Sequence, residues 1–128
     1  MKDKLQKLLE NSYSPYSKFR VAAIALTKDG KEFGGVNVEN ASYGATVCAE
    51  RSALLGAISN GYKKHDFLKL YIMVDSPKIS TCCFLCRQVI AELMEEDKEV
   101  VCMNFNGDEK VYLVSELCPV PFSSEDLV

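Results

Sequence analysis

Two cysteine segments constrain this chain more than anything else in it. Cys48-Ala49-Glu50 opens one helical pattern, and 35 residues after Cys48 the run Cys83-Phe84-Leu85-Cys86 opens another. Helix N-termini present unpaired N–H groups and the positive end of the backbone dipole, both of which favour thiolates. A fold that set these two helix starts over one sheet edge would bring three sulfurs together. Three thiolates hold a zinc ion and leave its fourth tetrahedral position open to water, the layout of a catalytic rather than a sealed structural site. Such a site is electron-rich and acidifies water poorly unless helix ends and cations drain its charge. Arg51 and Arg87 directly follow Glu50 and Cys86, where either guanidinium could donate to the sulfurs; by themselves they read equally well as surface charges. Glu50 is open to two readings as well. It is an ordinary partner of the helix dipole, or a proton carrier beside a metal-bound water. The Cys-x-x-Cys pair alone would also fit a redox site or half of a structural zinc site. The third cysteine, the helix contexts and the neighbouring glutamate together favour catalysis.

Length and composition narrow the setting. At 128 residues, 48% of them hydrophobic, the chain suits one compact domain over residues 1–128 with a core of its own. A net charge of −3 disfavours a polynucleotide partner. Residues 1–10 are charged and amphipathic, without a signal-peptide core, and no stretch approaches the ~20 apolar residues of a membrane span. We therefore expect a cytoplasmic protein with no membrane partner, in which six cysteines point to metal or catalysis before disulfides.

The hydrophobic pattern predicts a helix over residues 2–11 from Leu5, Leu8 and Leu9, a loop over 13–17, and a strand over 19–27. Lys28-Asp29-Gly30 then turns into a partner strand over 32–38, and 37–46 is a polar loop. A helix runs from Cys48 to Asn60-Gly61, followed by a strand over 67–74, a loop over 75–81 and a helix over 83–94. Strands over 100–105 and 110–114 flank an Asn106-Gly107 hairpin turn, one helical turn covers 115–117, and Pro119 and Pro121 begin an extended tail. His65 sits in a charged loop and reads as solvated, Cys102 reads as core, and Cys118 has no evident partner.

Cys48-Ala49-Glu50-Arg51 with Cys83-x-x-Cys86-Arg87-Gln88 resembles the zinc signature of the small homotetrameric cytidine deaminases with three cysteine ligands. Pro15-Tyr16-Ser17-Lys18-Phe19, Asn37-Val38-Glu39-Asn40 and Phe122-Ser123-Ser124-Glu125-Asp126-Leu127 match that family's other segments in order. The resemblance implies a three-layer α/β/α sandwich with a five-stranded mixed sheet, one zinc per chain on Cys48, Cys83 and Cys86, and a homotetramer with shared active sites. It implies hydrolytic deamination of cytidine and 2′-deoxycytidine in pyrimidine salvage, with Glu50 moving protons at ring N3 and at the leaving amine. Asn37 and Glu39, alternating at a strand end, would face the ribose hydroxyls. Phe19 would pack near the base, the Ala49 amide would meet the pyrimidine O2, and the Thr81 carbonyl would meet the exocyclic amine. Phe122 would reach a neighbouring subunit's pocket.

The chain departs from the family pattern at Cys82, where a proline is usual, and at Phe84-Leu85, where Gly-Ala is usual. Val21-Ala22-Ala23-Ile24 also replaces Val-Gly-Ala-Ala. Two rival readings follow from these changes. One is a deaminase for another cytosine nucleoside analogue. The other is an inactive zinc scaffold in which Cys82 or Cys118 closes the coordination shell.

Overall fold

The computed structural model describes residues 1–127. Among them the helices are α1 (Lys2–Leu9), α2 (Ala49–Ser59), α3 (Phe84–Leu93) and α4 (Val114–Leu117), and the strands are β1 (Val21–Thr27), β2 (Glu32–Val36), β3 (Phe67–Val74), β4 (Glu99–Met103) and β5 (Glu109–Leu113). The strands form one mixed sheet in the order β2-β1-β3-β4-β5. Only β3 and β4 run parallel, joined by the crossover through α3; the other neighbours are antiparallel. A parallel pair requires such a long connection, and this one carries Cys83 and Cys86 at the start of its helix.

Side-chain alternation along the central strands sorts two cores. Ala22 and Ile24 of β1, Met73 of β3, and Val101 and Met103 of β4 face α1, where Leu5 and Leu9 are fully buried. Ala23 and Ala25, Leu70 and Ile72, and Val100 and Cys102 face the other way, against Ala53, Leu54 and Ala57 of α2 and Cys86 and Ile90 of α3. Each fully buried leucine contributes about 1.5–3 kcal/mol by leaving water. The three-layer α/β/α expectation and the five-stranded mixed sheet are both what the chain forms.

Boundaries moved where side chains compete for backbone. The strand expected from residue 19 begins at Val21, because Lys18 has φ 60° and the Phe19 N–H is taken by the Ser17 hydroxyl at 3.0 Å. The strand expected to reach 105 ends at Met103. There Asn104 turns inward, and its amide donates to Pro77 O (3.0 Å) and Asp108 Oδ2 (2.9 Å) while its Oδ1 accepts from Asp108 N–H (2.9 Å). The turn is therefore a five-residue loop organised by Asn104 instead of a two-residue Asn-Gly hairpin. Residues 124–127 form a 3₁₀ turn within the tail expected to be extended. The Asp126 carboxylate accepts from Ser123 N–H at its start (2.8 Å).

Gly35 of β2 is where α2 comes down on the sheet. A Cβ there would stand 2.5 Å from Ala53 N, 2.7 Å from Ala49 O and 2.9 Å from Ser52 Cβ. Two of these are backbone atoms, so α2 would have to lift. Glycine in a strand marks such a close approach. Gly35→Ala is expected to cost about 1–3 kcal/mol, the range of overpacked cores, read as a lower urea midpoint. An unchanged midpoint would show that α2 tolerates displacement.

Candidate metal centre and active site

Cys48 and Cys83 are the N-caps of α2 and α3, both with extended backbone (φ −74°, ψ 156° and φ −66°, ψ 163°). Their carbonyls accept the first helical bonds, from Ser52 N–H (3.1 Å) and Arg87 N–H (3.0 Å). Cysteine is an unusual N-cap, and Cys83 performs the capping itself, its Sγ accepting from Cys86 N–H at 3.4 Å. The sulfurs of Cys48, Cys83 and Cys86 all lie within 4.8 Å of one another. Among the described residues no fourth cysteine, histidine or carboxylate joins them.

The donor set fits zinc. Zinc–sulfur bonds of about 2.3 Å in a tetrahedron place sulfurs about 3.8 Å apart, and Cys48 Sγ stands 3.8 Å from Cys83 Sγ. Arg51 Nη2 donates to Cys48 Sγ at 3.5 Å. The hydrogen bond from Cys86, followed by those from Arg51 and Cys83, draws the Cys48 thiol down to about 5, against the opposing cost of burial. Cys86 is pushed up, first by that bond to Cys48 and then by burial. The cluster thus favours a thiolate at Cys48, the sulfur that Arg51 faces, before any metal is present.

Arg87 does something other than expected. Its donors go to Cys82 O (2.8 Å), Leu117 O (3.1 Å) and the Thr81 hydroxyl (2.9 Å), and its guanidinium lies 4.5 Å over the Phe84 ring. No sulfur is among these partners. The planar fork braces the turn that presents Cys83 instead, bonding the carbonyls of residues 82 and 117 with separate N–H donors. Cys82 also takes neither role suggested for it. It is buried, only 4% exposed, within the core that includes Cys102. The hydrogen bond to Cys102 and then burial push its thiol far up, so it stays protonated. Cys118 lies in a separate cavity between α3 and the tail. Neither cysteine closes the zinc shell.

Glu50, in the first turn of α2, is 5% exposed, and burial is the main cause that raises its carboxyl above the ordinary range, with the charge of Cys48 adding to it. A buried carboxyl beside a thiol cluster is not a solvated dipole partner. Ala49 is buried next to it at the start of the same helix.

The polar loop is stitched to this centre by backbone. Val38 and Val47 exchange both of their N–H···O bonds (2.9 and 3.0 Å), which sets residues 37–39 beside Cys48. The Asn37 amide donates to Phe19 O (2.7 Å), and its Oδ1 accepts from Val21 N–H (2.9 Å) and from the Ser12 hydroxyl (2.5 Å). Glu39 accepts from Tyr16 N–H (3.0 Å), Ser17 N–H (3.1 Å) and the Ser17 hydroxyl. A cavity of about 410 Å³ lies here, lined by Tyr16, Ser17, Glu39, Asn40, Tyr43 and Thr46. The partly exposed Phe19 follows directly on this clamp. Phe122 lies on the opposite flank of α3, where its carbonyl accepts from Gln88 Nε2 (2.8 Å). Phe84 is 76% exposed. The sequence reading gave no role to Ser17, although it lies in the matched segment Pro15–Phe19, or to Gly35, which the Gly34-Gly35 pair within a strand could have signalled.

The family model of the cytidine and deoxycytidylate deaminase zinc-binding region matches residues 1–104. A cytidine deaminase of Halalkalibacterium halodurans is 45% identical over 118 residues, covering 92% of this chain and 88% of that one. A probable cytidine deaminase of Dictyostelium discoideum is 42% identical, covering 98% and 84%. A crystal structure of cytidine deaminase from Burkholderia pseudomallei superposes with a TM-score of 0.90 at 41% identity, covering 94% of each chain.

The geometry groups Cys83 with the other two sulfurs and leaves Cys82 in the core. Cys83→Ser is expected to drop zinc well below one ion per chain, whereas Cys82→Ser keeps it. Elemental analysis of the purified variants checks this, and the reverse pattern would reassign the ligand.

Proposed function

Because the chain belongs to the cytidine and deoxycytidylate deaminase family of zinc enzymes, we propose that it hydrolyses cytidine and 2′-deoxycytidine to the corresponding uridines and ammonia, in pyrimidine salvage. The observation that carries this reading is a buried glutamate beside three clustered thiols at two helix starts. Zinc held by Cys48, Cys83 and Cys86 supplies a Lewis acid that acidifies water at neutral pH. Everything else falls to the chain. As water adds to C4 of cytosine, the Glu50 carboxylate takes up its proton and delivers it to ring N3. Glu50 then takes the proton of the new C4 hydroxyl and gives it to the amine at C4, so that the C4–N bond breaks, ammonia leaves and the ring carbonyl forms. A raised carboxyl suits both halves, since it binds the proton readily and gives it up to a stronger base. Arg51 steadies the thiolate charge, and Arg87 holds the Thr81–Cys83 turn so that the Thr81 carbonyl accepts from the exocyclic amine. The Ala49 amide donates to O2. These two groups reject uracil by mismatched donors and acceptors.

Glu39 accepts from the sugar 3′-hydroxyl at the cavity it lines, and Asn37 shapes that wall and meets the sugar from the same side. Phe19 packs against the base. The single domain works in the cytoplasm as a homotetramer, in which Phe122 of one subunit closes a neighbour's pocket. Among the described residues no helix is long and apolar enough to cross a membrane.

Glu50→Gln is expected to keep one zinc per chain and lower kcat by at least ~10²–10⁴-fold, the usual weight of positioned proton transfer. Ammonia release from cytidine measures it, and a variant near the full rate would remove Glu50 from the mechanism. Wild-type protein that ignores cytidine but turns over a cytosine nucleoside antibiotic would shift the substrate. Phe122→Ala is expected to raise KM about tenfold with little change in thermal midpoint, the loss of one aromatic contact. A constant KM would place the tail outside the pocket.

A further inference from the structure

We infer that Ser17 is a positioning residue for sugar recognition, whose hydroxyl ties Glu39, on the wall of the substrate cavity, to the Phe19 backbone beside it; this rests on the reading of Glu39 as the acceptor of the sugar 3′-hydroxyl. The Ser17 hydroxyl has two partners. It accepts from Phe19 N–H at 3.0 Å and donates to Glu39 Oε2. The other carboxylate oxygen accepts from Ser17 N–H and Tyr16 N–H. Three donors from two adjacent residues therefore fix both oxygens of Glu39 and leave one of its four acceptor positions free, on a residue that lines the cavity together with Ser17.

The backbone is bent for this purpose. Among the described residues Lys18 is the one non-glycine with positive φ, a conformation that its Cβ disfavours. Its N–H closes a turn onto Ser14 O at 3.0 Å. With Lys18 so placed, the N–H of residue 19 comes back onto the hydroxyl of residue 17. A strained residue persists only where its surroundings hold it, and here the surroundings are the carboxylate bonds and the bonds of Asn37 to Phe19 O and Val21 N–H. The Ser17 bond also holds the Glu39 carboxyl below its usual range, so it meets a hydroxyl as an acceptor. A carboxylate fixed in advance loses little freedom on binding, which is where its contribution to recognition comes from.

The test uses the zinc-loaded full chain and compares kcat/KM for cytidine and 3′-deoxycytidine. Ser17→Ala is expected to lower the cytidine value about tenfold, through KM, while 3′-deoxycytidine changes less than about twofold, because the hydroxyl acceptor loses its orientation while Phe19 stays held at its carbonyl by the Asn37 amide. Zinc content and thermal midpoint stay at wild-type values, and Ser17→Thr, which keeps the hydroxyl, restores most of the preference. In a double-mutant cycle, Ser17→Ala adds nothing to Glu39→Gln. Ser17→Cys keeps the shape and weakens the bond, so it erodes the preference even if the alanine variant folds poorly. Equal losses on both substrates, or full preference in the alanine and cysteine variants while Glu39→Gln abolishes it, overturn the role of Ser17 alone. A preference that survives Glu39→Gln overturns the sugar reading of Glu39 and this inference with it.

Discussion

The approach of α2 to the sheet at Gly35 is the constraint on which the site depends. With no side chain there, the backbone of Ala49 and Ala53 settles directly on β2. That contact fixes the height of the first turn of α2, and so the positions of Cys48 and Glu50. The crossover from β3 to β4 then delivers α3 beside α2, packed through Cys86 and Ile90 into the same core as Ala53, Leu54 and Ala57. Two helix starts meet because both helices cover one face of one twisted sheet. The sulfur cluster is a consequence of that packing and needs no separate scaffold.

Electrostatics at the junction follow from burial. A carboxylate removed from water beside thiolates is costly unless charge is compensated. The two helix ends and Arg51 supply part of the compensation, and zinc supplies the remainder when bound. Arg87 takes no part in this. It stiffens the turn before α3 by bonding to the carbonyls of Cys82 and Leu117. In a chain with cysteine at position 82, a bridging guanidinium secures a turn that a proline ring would otherwise stiffen.

The substrate side is held by a different device. Residues 37–39 sit between two neighbours, bonded by backbone to Val47 on one side and by side chains to residues 12–21 on the other. The same few bonds place the polar wall next to Cys48, so the sulfur cluster and the cavity at Glu39 share one framework.

Much of this was legible from residue order. Apolar runs in residues 21–27, 67–74 and 100–103, helical spacing after Cys48 and Cys83, and turn residues between them determine element types, because these signals are local. Cys48, Cys83, Cys86 and Glu50 also declare their chemistry locally, through side-chain type and place in a helix. Tertiary structure alone decided which thiol faces a cation, that Arg87 serves the backbone, that Cys82 turns into the core, and that Ser17 binds Glu39 across 22 residues. Those outcomes depend on distances between segments far apart in the chain, set by sheet register and by how closely helices can approach, and no local pattern encodes them.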